Sequence, residues 1–170
     1  SLLHLTELYS IDFEIIVRDN GSTDGSVEEI HYRHPGIQLL ENNANLGFGP
    51  AVNLGLTRAT GDFLIFLNND LYLKSDSISE LVKELEFDPK IGAAVPKILY
   101  YEKRNVINSF GVLVNYTGIC CPNLIDENNS SNLKRHETAC GGIFMFKRQV
   151  YLAVGGFDED LFLYHEDHDL

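Results

Sequence analysis

Apolar positions in this chain fall into short blocks of two kinds that alternate. Residues 13–18, Phe13-Glu14-Ile15-Ile16-Val17 and then Arg18, make a mostly apolar run of the kind a parallel sheet buries as a strand. A helix is predicted near 24–33, with Asp24 as its cap, Glu28 and Glu29 in its first turn and Pro35 closing it. Residues 37–40 read as another strand. The loop Asn42-Asn43-Ala44-Asn45-Leu46-Gly47-Phe48-Gly49 then leads into a helix from Pro50, a favoured first-turn residue, to Ala59. Residues 62–67 give the strongest strand pattern in the chain and end at Asn68-Asn69-Asp70. Ser75 or Asp76 caps the next helix, which runs to Glu86 with Ile78, Leu81, Val82 and Leu85 on one face. Residues 91–100 return as a strand. This βαβα order predicts an α/β domain with a largely parallel central sheet.

The pattern changes after residue 100. Residues 101–135 are polar, rich in Asn and punctuated by Gly and Pro, and read as hairpins or a mobile excursion. A strand over 138–148, entered through Gly141-Gly142, is followed by a helix over 148–154, a Gly155-Gly156 break and an acidic end. No internal repeat or low-complexity tract is visible.

The chain has 170 residues, enough for one domain with a real core. It contains no run of about 18 apolar residues, so it encodes no transmembrane helix. No basic stretch followed by an apolar one marks a signal peptide. Lys and Arg number 13 against 25 Asp and Glu, a formal charge of −12, which argues against general binding to nucleic acid. A local site for a phosphorylated ligand bridged by a metal ion stays open. Cys120, Cys121 and Cys140 match no zinc spacing and read as reduced thiols of a cytoplasmic protein. Residues 1–8 read as the tail of a helix and 165–170 as the first turn of another, so a fragment of a longer protein is expected.

Two strands therefore end in polar clusters, Asp19-Asn20 and Asn68-Asn69-Asp70, and a parallel sheet would put both on its ligand-binding edge. A carboxylate at such a tip suits Mg²⁺ or Mn²⁺, which prefer oxygen donors and bridge to substrate phosphates. The competing reading of both clusters is a turn, where Asn and Asp are common. A third acidic cluster, Asp158-Glu159-Asp160 through Glu166-Asp167, is either part of the same edge or a solvated helix start.

Four stretches in order resemble the family 2 glycosyltransferases, most closely their rhamnosyltransferase-like branch. They are Val17-Arg18-Asp19-Asn20-Gly21-Ser22-Thr23-Asp24-Gly25-Ser26, Asn45-Leu46-Gly47-Phe48-Gly49, residues 61–70, and Gly156-Phe157-Asp158-Glu159 with Phe162-Leu163-Tyr164-His165-Glu166-Asp167. The resemblance implies a GT-A fold in one domain over 1–170. Residues 1–100 would form the nucleotide-sugar-binding half and 101–170 an incomplete acceptor-side half. It implies sugar transfer from a nucleotide-diphosphate donor, a UDP- or dTDP-sugar, to the hydroxyl of a glycan or lipid-linked acceptor in polysaccharide or glycoconjugate synthesis. It implies Asp19 as the nucleotide-base ligand, Asp70 as the ligand of a divalent metal, Mn²⁺ or Mg²⁺, and Asp167 as general base, with inversion at the anomeric carbon. Asn20, Ser22, Asn45, Gly47, Asn53, Asn68, Asn69, Gly141, Gly142 and Glu166 are the substrate-binding positions it implies. A cytoplasmic location at the inner face of a membrane goes with these.

The chain departs from the family pattern at several points. Asn68 stands where the first aspartate of the DXD motif is common. Val52-Asn53 stands where many relatives have Arg-Asn, and Arg18 occupies a position that is usually apolar. The family's first strand would precede Ser1, and the rest of its acceptor region would follow Leu170. A nicotinamide-binding domain needs a G-x-G-x-x-G turn that the segment 19–25 lacks. A nucleotidyltransferase and a non-catalytic nucleotide-sugar-binding domain remain the alternatives. A zinc site at His165, Glu166, His168 and Asp169 lacks a second cluster of ligands.

Overall fold

The computed structural model describes residues 12–109, 111–114, 120–122 and 142–162. The described chain forms nine strands and four helices in the order β1 (Ile16–Asp19), α1 (Ser26–Arg33), β2 (Gln38–Glu41), α2 (Phe48–Leu56), β3 (Phe63–Leu67), α3 (Ser77–Phe87), β4 (Ala93–Ala94), β5 (Ile98–Leu99), β6 (Ile107–Ser109), β7 (Val112–Val114), β8 (Cys120–Pro122), β9 (Ile143–Lys147) and α4 (Arg148–Val154). The backbone packs into two compact units, residues 1–64 with 151–170, and residues 65–150.

In the first unit β1 and β2 pair in parallel, Ile16 against Gln38 through Asp19 against Glu41, so both strands finish at the same end. Helix α1 crosses between them and buries none of its residues, in keeping with its polar composition. Asp24 does engage the start of α1, one position earlier than a cap would: its Oδ1 accepts the Ser26 amide at 3.0 Å and the Ser26 hydroxyl at 2.6 Å, while Gly25 takes the cap position at φ 87°. Helix α2 packs on β1 and buries Ala51. Phe48 meets Phe157 edge to face, with ring centroids 5.9 Å apart.

In the second unit β9 is central to a three-stranded sheet of order β3-β9-β4. Ile143, Phe144, Met145 and Phe146 are all buried, because apolar neighbours cover both faces of the strand. Phe144 lies 6.1 Å from Phe66 and 6.0 Å from Phe146. Helix α3 closes one face with Ile78, Leu81 and Leu85. Burying such side chains contributes about 1.5–3 kcal/mol each.

The parallel arrangement expected from the βαβα order holds for β1 and β2, whereas β4 runs antiparallel to β9. The single strand expected over 91–100 is two short ones, β4 and β5, separated at Val95-Pro96-Lys97. Pro96 has no N–H to give a ladder. Beyond it β5 pairs antiparallel with β6, and β7 with β8, so antiparallel pairs occupy the described part of 101–135.

Candidate functional site

At the tip of β1 the chain must turn sharply, and Asp19 organises the turn. The residue is only 8% exposed. Its Oδ2 accepts the Gly21 amide at 3.0 Å and the Ser22 amide at 3.1 Å, and its Oδ1 lies 3.3 Å from the same Ser22 amide. Hydrogen bonding from Ser22, the side chain first, and from the Gly21 amide holds the carboxyl below the usual carboxylate range, against the opposing cost of burial. Asp19 is therefore an ionised turn-former whose carboxylate retains accepting capacity at Oδ1.

Asn20 ties this turn to the loop after β2. Its Nδ2 donates to Asn45 Oδ1 at 2.8 Å and to the Gly47 carbonyl at 3.0 Å. Its Oδ1 accepts from Asn42 Nδ2 and from the Leu46 amide, each at 3.0 Å. All the amide's ordinary hydrogen-bonding capacity is thus met by the protein. The approach is close enough that a Cβ on Gly21 would sit 2.9 Å from the Ala44 carbonyl carbon. Asn45 in turn accepts the Gly47 amide at 2.9 Å. Gly47 has φ 90° and ψ 175°, and a Cβ there would lie 2.8 Å from the Phe162 carbonyl oxygen. The next amide, that of Phe48, donates to that same oxygen at 3.0 Å.

Asn53, on α2, is a second hub and is 9% exposed. Its Nδ2 donates to the Phe157 carbonyl at 2.9 Å and to Glu159 Oε1 at 3.1 Å. Its Oδ1 accepts the Tyr151 hydroxyl at 2.8 Å and the Phe157 amide at 2.9 Å. Burial, then the charge of Glu159, raises the Tyr151 pKa, so that hydroxyl keeps its proton and donates. Asn53 thus holds the segment that leads toward Glu166-Asp167. Arg18, in β1 opposite Leu40, buries an Nε that has no hydrogen-bond partner among the described residues, and nothing in them explains it.

In the second unit the end of β3 presents Asn68, Asn69 and Asp70 in sequence. The Asn68 amide donates to the Gly142 carbonyl at 2.7 Å, and a Cβ on Gly142 would lie 2.9 Å from Asn68 Nδ2. Glycine at 142 therefore lets the Asn68 amide group lie against the backbone. Asn69 and Asp70 are exposed in the turn that follows. No group among the described residues donates a hydrogen bond to the Asp70 carboxylate.

The structure thus joins Asp19 with Ser22, joins Asn20 with Asn45 and Gly47, and sets Asn68 against Gly142. Gly141, Glu166, Asp167 and the His165–Asp169 group weighed for zinc lie outside the described residues. Among the described residues no three His, Cys, Asp or Glu side chains gather to hold a metal ion, and no helix is long and apolar enough to cross a membrane. No individual role was expected of Asn42, Tyr151 or Phe162. Their parts depend on contacts between segments distant in sequence, which no local pattern marks.

An α/β domain of the GT-A type is the class that this fold defines. It superposes on a Pyrobaculum calidifontis mannosyltransferase solved with GDP-Man and Mn²⁺ at a TM-score of 0.66 and 23% identity, covering 97% of this chain and 44% of that one. The glycosyl transferase family 2 model matches residues 1–154, and the chain belongs to that family. It is 29% identical over 184 residues to an N-acetylglucosaminyl-diphospho-decaprenol L-rhamnosyltransferase of Mycobacterium tuberculosis, covering 92% of this chain and 59% of the relative. It is 25% identical over 163 residues to a poly-beta-1,6-N-acetyl-D-glucosamine synthase of Staphylococcus aureus, covering 87% of this chain and 35% of the relative. The chain spans less than two thirds of the length of either relative.

Proposed function

We propose that the protein transfers a sugar from a nucleotide-diphosphate donor to an acceptor hydroxyl, with help from Mn²⁺ or Mg²⁺. The observation that carries this reading is Asp70, an exposed carboxylate with no internal partner among the described residues, at the end of β3 in a family 2 chain. One such oxygen donor suits a hard cation that takes its remaining ligands from phosphate and water, as Mg²⁺ commonly does. Such an ion would offset charge on the leaving diphosphate.

Asp19 receives the nucleotide base or ribose through its remaining accepting capacity, on a turn fixed by Ser22. Asn20, Asn45 and Gly47 hold the adjoining loop in shape, and Asn53 does the same for 157–159. Asn68, Asn69, Gly141 and Gly142 line the sugar-phosphate side. Asp167 takes the proton of the acceptor hydroxyl as its oxygen bonds to the anomeric carbon and the bond to the diphosphate breaks. Glu166 orients the acceptor. A single displacement of this kind inverts the anomeric configuration. A glycan or lipid-linked acceptor fits the relatives' names, and with it goes work at the inner face of a membrane in polysaccharide or glycoconjugate synthesis.

Calorimetric titration of UDP, dTDP and GDP in Mn²⁺ and in EDTA tests the reading. Affinity is expected to rise with metal for at least one nucleotide, and Asp70→Ala is expected to remove the gain. Equal affinity in Mn²⁺ and EDTA for all three would overturn it.

A further inference from the structure

The segment after Asp70 carries a cluster that the reading above does not use. Tyr72 is 71% exposed and Tyr101 is 67% exposed. The Arg104 guanidinium lies over both rings, 5.9 Å from the Tyr72 centroid and 5.3 Å from that of Tyr101. The arginine is held on a tight turn between β5 and β6, where the Val106 amide donates to the Lys103 carbonyl at 2.8 Å and the Tyr100 amide to the Val106 carbonyl at 3.1 Å. Among the described residues its five N–H donors have no hydrogen-bond acceptor. That is notable in a chain with 25 acidic residues and 13 basic ones, where Glu102 stands two positions away.

Exposed tyrosine rings hold the guanidinium plane by cation–π stacking and leave its N–H edge free. A fixed planar fork with free donors matches an oxyanion, and phosphate takes it in bidentate fashion. Carboxylates of the described chain do not fill it. The donor's diphosphate already has a partner in the metal proposed at Asp70, which leaves the acceptor. The mycobacterial relative's name states a diphosphate-linked polyprenol acceptor.

We propose that Arg104, held by Tyr72 and Tyr101, forms a subsite for the diphosphate of a polyprenyl-diphosphate-linked acceptor. The proposal rests on the glycosyltransferase reading and adds the chemical class of the acceptor. Stacking sets the direction of the fork, so lysine, a point charge without the plane, does not replace arginine.

Binding of geranyl diphosphate to the full-length protein, measured by calorimetry in EDTA to silence any metal site, tests it. Inorganic pyrophosphate and geraniol are titrated in parallel, and UDP, dTDP and GDP with Mn²⁺ serve as the donor control. Geranyl diphosphate is expected to bind, geraniol not to, and pyrophosphate to compete. Arg104→Ala is expected to weaken geranyl diphosphate by about 10- to 100-fold, the loss of charge-assisted hydrogen bonds. Arg104→Lys and Tyr72→Ala are expected to weaken it as well, with nucleotide affinity unchanged throughout. Pyrophosphate binding as tightly as geranyl diphosphate would overturn the lipid-linked source. Geraniol binding as well as geranyl diphosphate, or Arg104→Ala without effect, would overturn the subsite. So would an Arg104→Ala loss confined to nucleotide. If the wild type binds geranyl diphosphate through Arg104 but binds no nucleotide with Mn²⁺, the glycosyltransferase reading fails while the phosphate subsite stands.

Discussion

Tyr151 donates its hydroxyl to Asn53 Oδ1 at 2.8 Å across 98 positions of sequence. The same oxygen accepts the Phe157 amide at 2.9 Å, so one side chain on α2 ties down both α4 and the loop beyond it. Close packing completes the arrangement: a Cβ on Gly156 would lie 2.7 Å from Asn53 Oδ1 and 2.8 Å from the Tyr151 hydroxyl.

Asn53→Ala takes one partner from the Tyr151 hydroxyl and leaves the Phe157 amide and carbonyl without the partner they have on α2, in a buried place. It is expected to cost more than Tyr151→Phe, which takes one bond from Asn53 and leaves its Oδ1 still accepting the Phe157 amide. Each buried group left unpaired costs about 1–3 kcal/mol, and a lost hydrogen bond about 1 kcal/mol. Urea unfolding of the two variants reads the difference. Equal losses would show that Asn53 is not the hub.

Gly47 and Gly25 both have positive φ, but for different reasons. Gly25, at φ 87° and ψ 4°, has nothing within 4 Å of where a Cβ would stand, whereas Gly47 combines φ 90°, ψ 175° with the Phe162 carbonyl 2.8 Å from that point. Backbone of the Gly47 kind is essentially closed to other residues. Gly47→Ala is expected to lower Tm clearly more than Gly25→Ala, for which only a modest backbone strain is expected. Scanning calorimetry of the pair decides it, and the reverse order would contradict the packing of Gly47 against Phe162.

Much of this framework was legible in the sequence because it is periodic. Helices α1, α2 and α3 and strands β1, β2, β3 and β9 lie within a few residues of where apolar spacing puts them. The antiparallel β4–β9 pair was not legible, because strand direction depends on the path of the chain rather than on side-chain pattern. Pro96 was visible, yet its effect on 91–100 shows only when the ladder is drawn. At the candidate site the motif residues stood out, but Asn20 and Asn53 reach partners 22 to 27 and 98 to 106 positions away, and an isolated Asn reads as a turn. The stacking of Arg104 on Tyr72 was hidden for the same reason.

Asp19 links the β1 turn to pH. Its folded pKa lies below the unfolded value, so its contribution to stability is present above about pH 4 and is lost as pH falls through the folded pKa. Ser22→Ala removes the largest cause of the depression. The variant is expected to show a shallower acid limb in a plot of unfolding free energy against pH, with wild-type slope near neutrality. Identical acid limbs would mean that Ser22 does not hold the carboxylate.

Metal dependence gives a further expectation. Asp70→Asn keeps the turn shape but removes the charge, so it is expected to abolish Mn²⁺-dependent strengthening of nucleotide binding while leaving the binding measured in EDTA intact. Loss of binding in both conditions would instead mark Asp70 as a direct nucleotide contact.

The central claim is sugar transfer with Asp167 as base, and rates of transfer by the full-length protein test it most directly. Wild type and Asp167→Asn are compared with Mn²⁺ across UDP-, dTDP- and GDP-sugar donors and a polyprenyl-diphosphate-linked acceptor, alongside nucleotide affinity. The account predicts transfer from one donor, with Asp167→Asn slower by about 10²–10⁴-fold at unchanged nucleotide affinity, the usual size of a general-base contribution. Transfer by Asp167→Asn at the wild-type rate would contradict the catalytic assignment. A wild type that binds nucleotide yet transfers from no donor would contradict the enzyme itself and leave a nucleotide-sugar-binding domain.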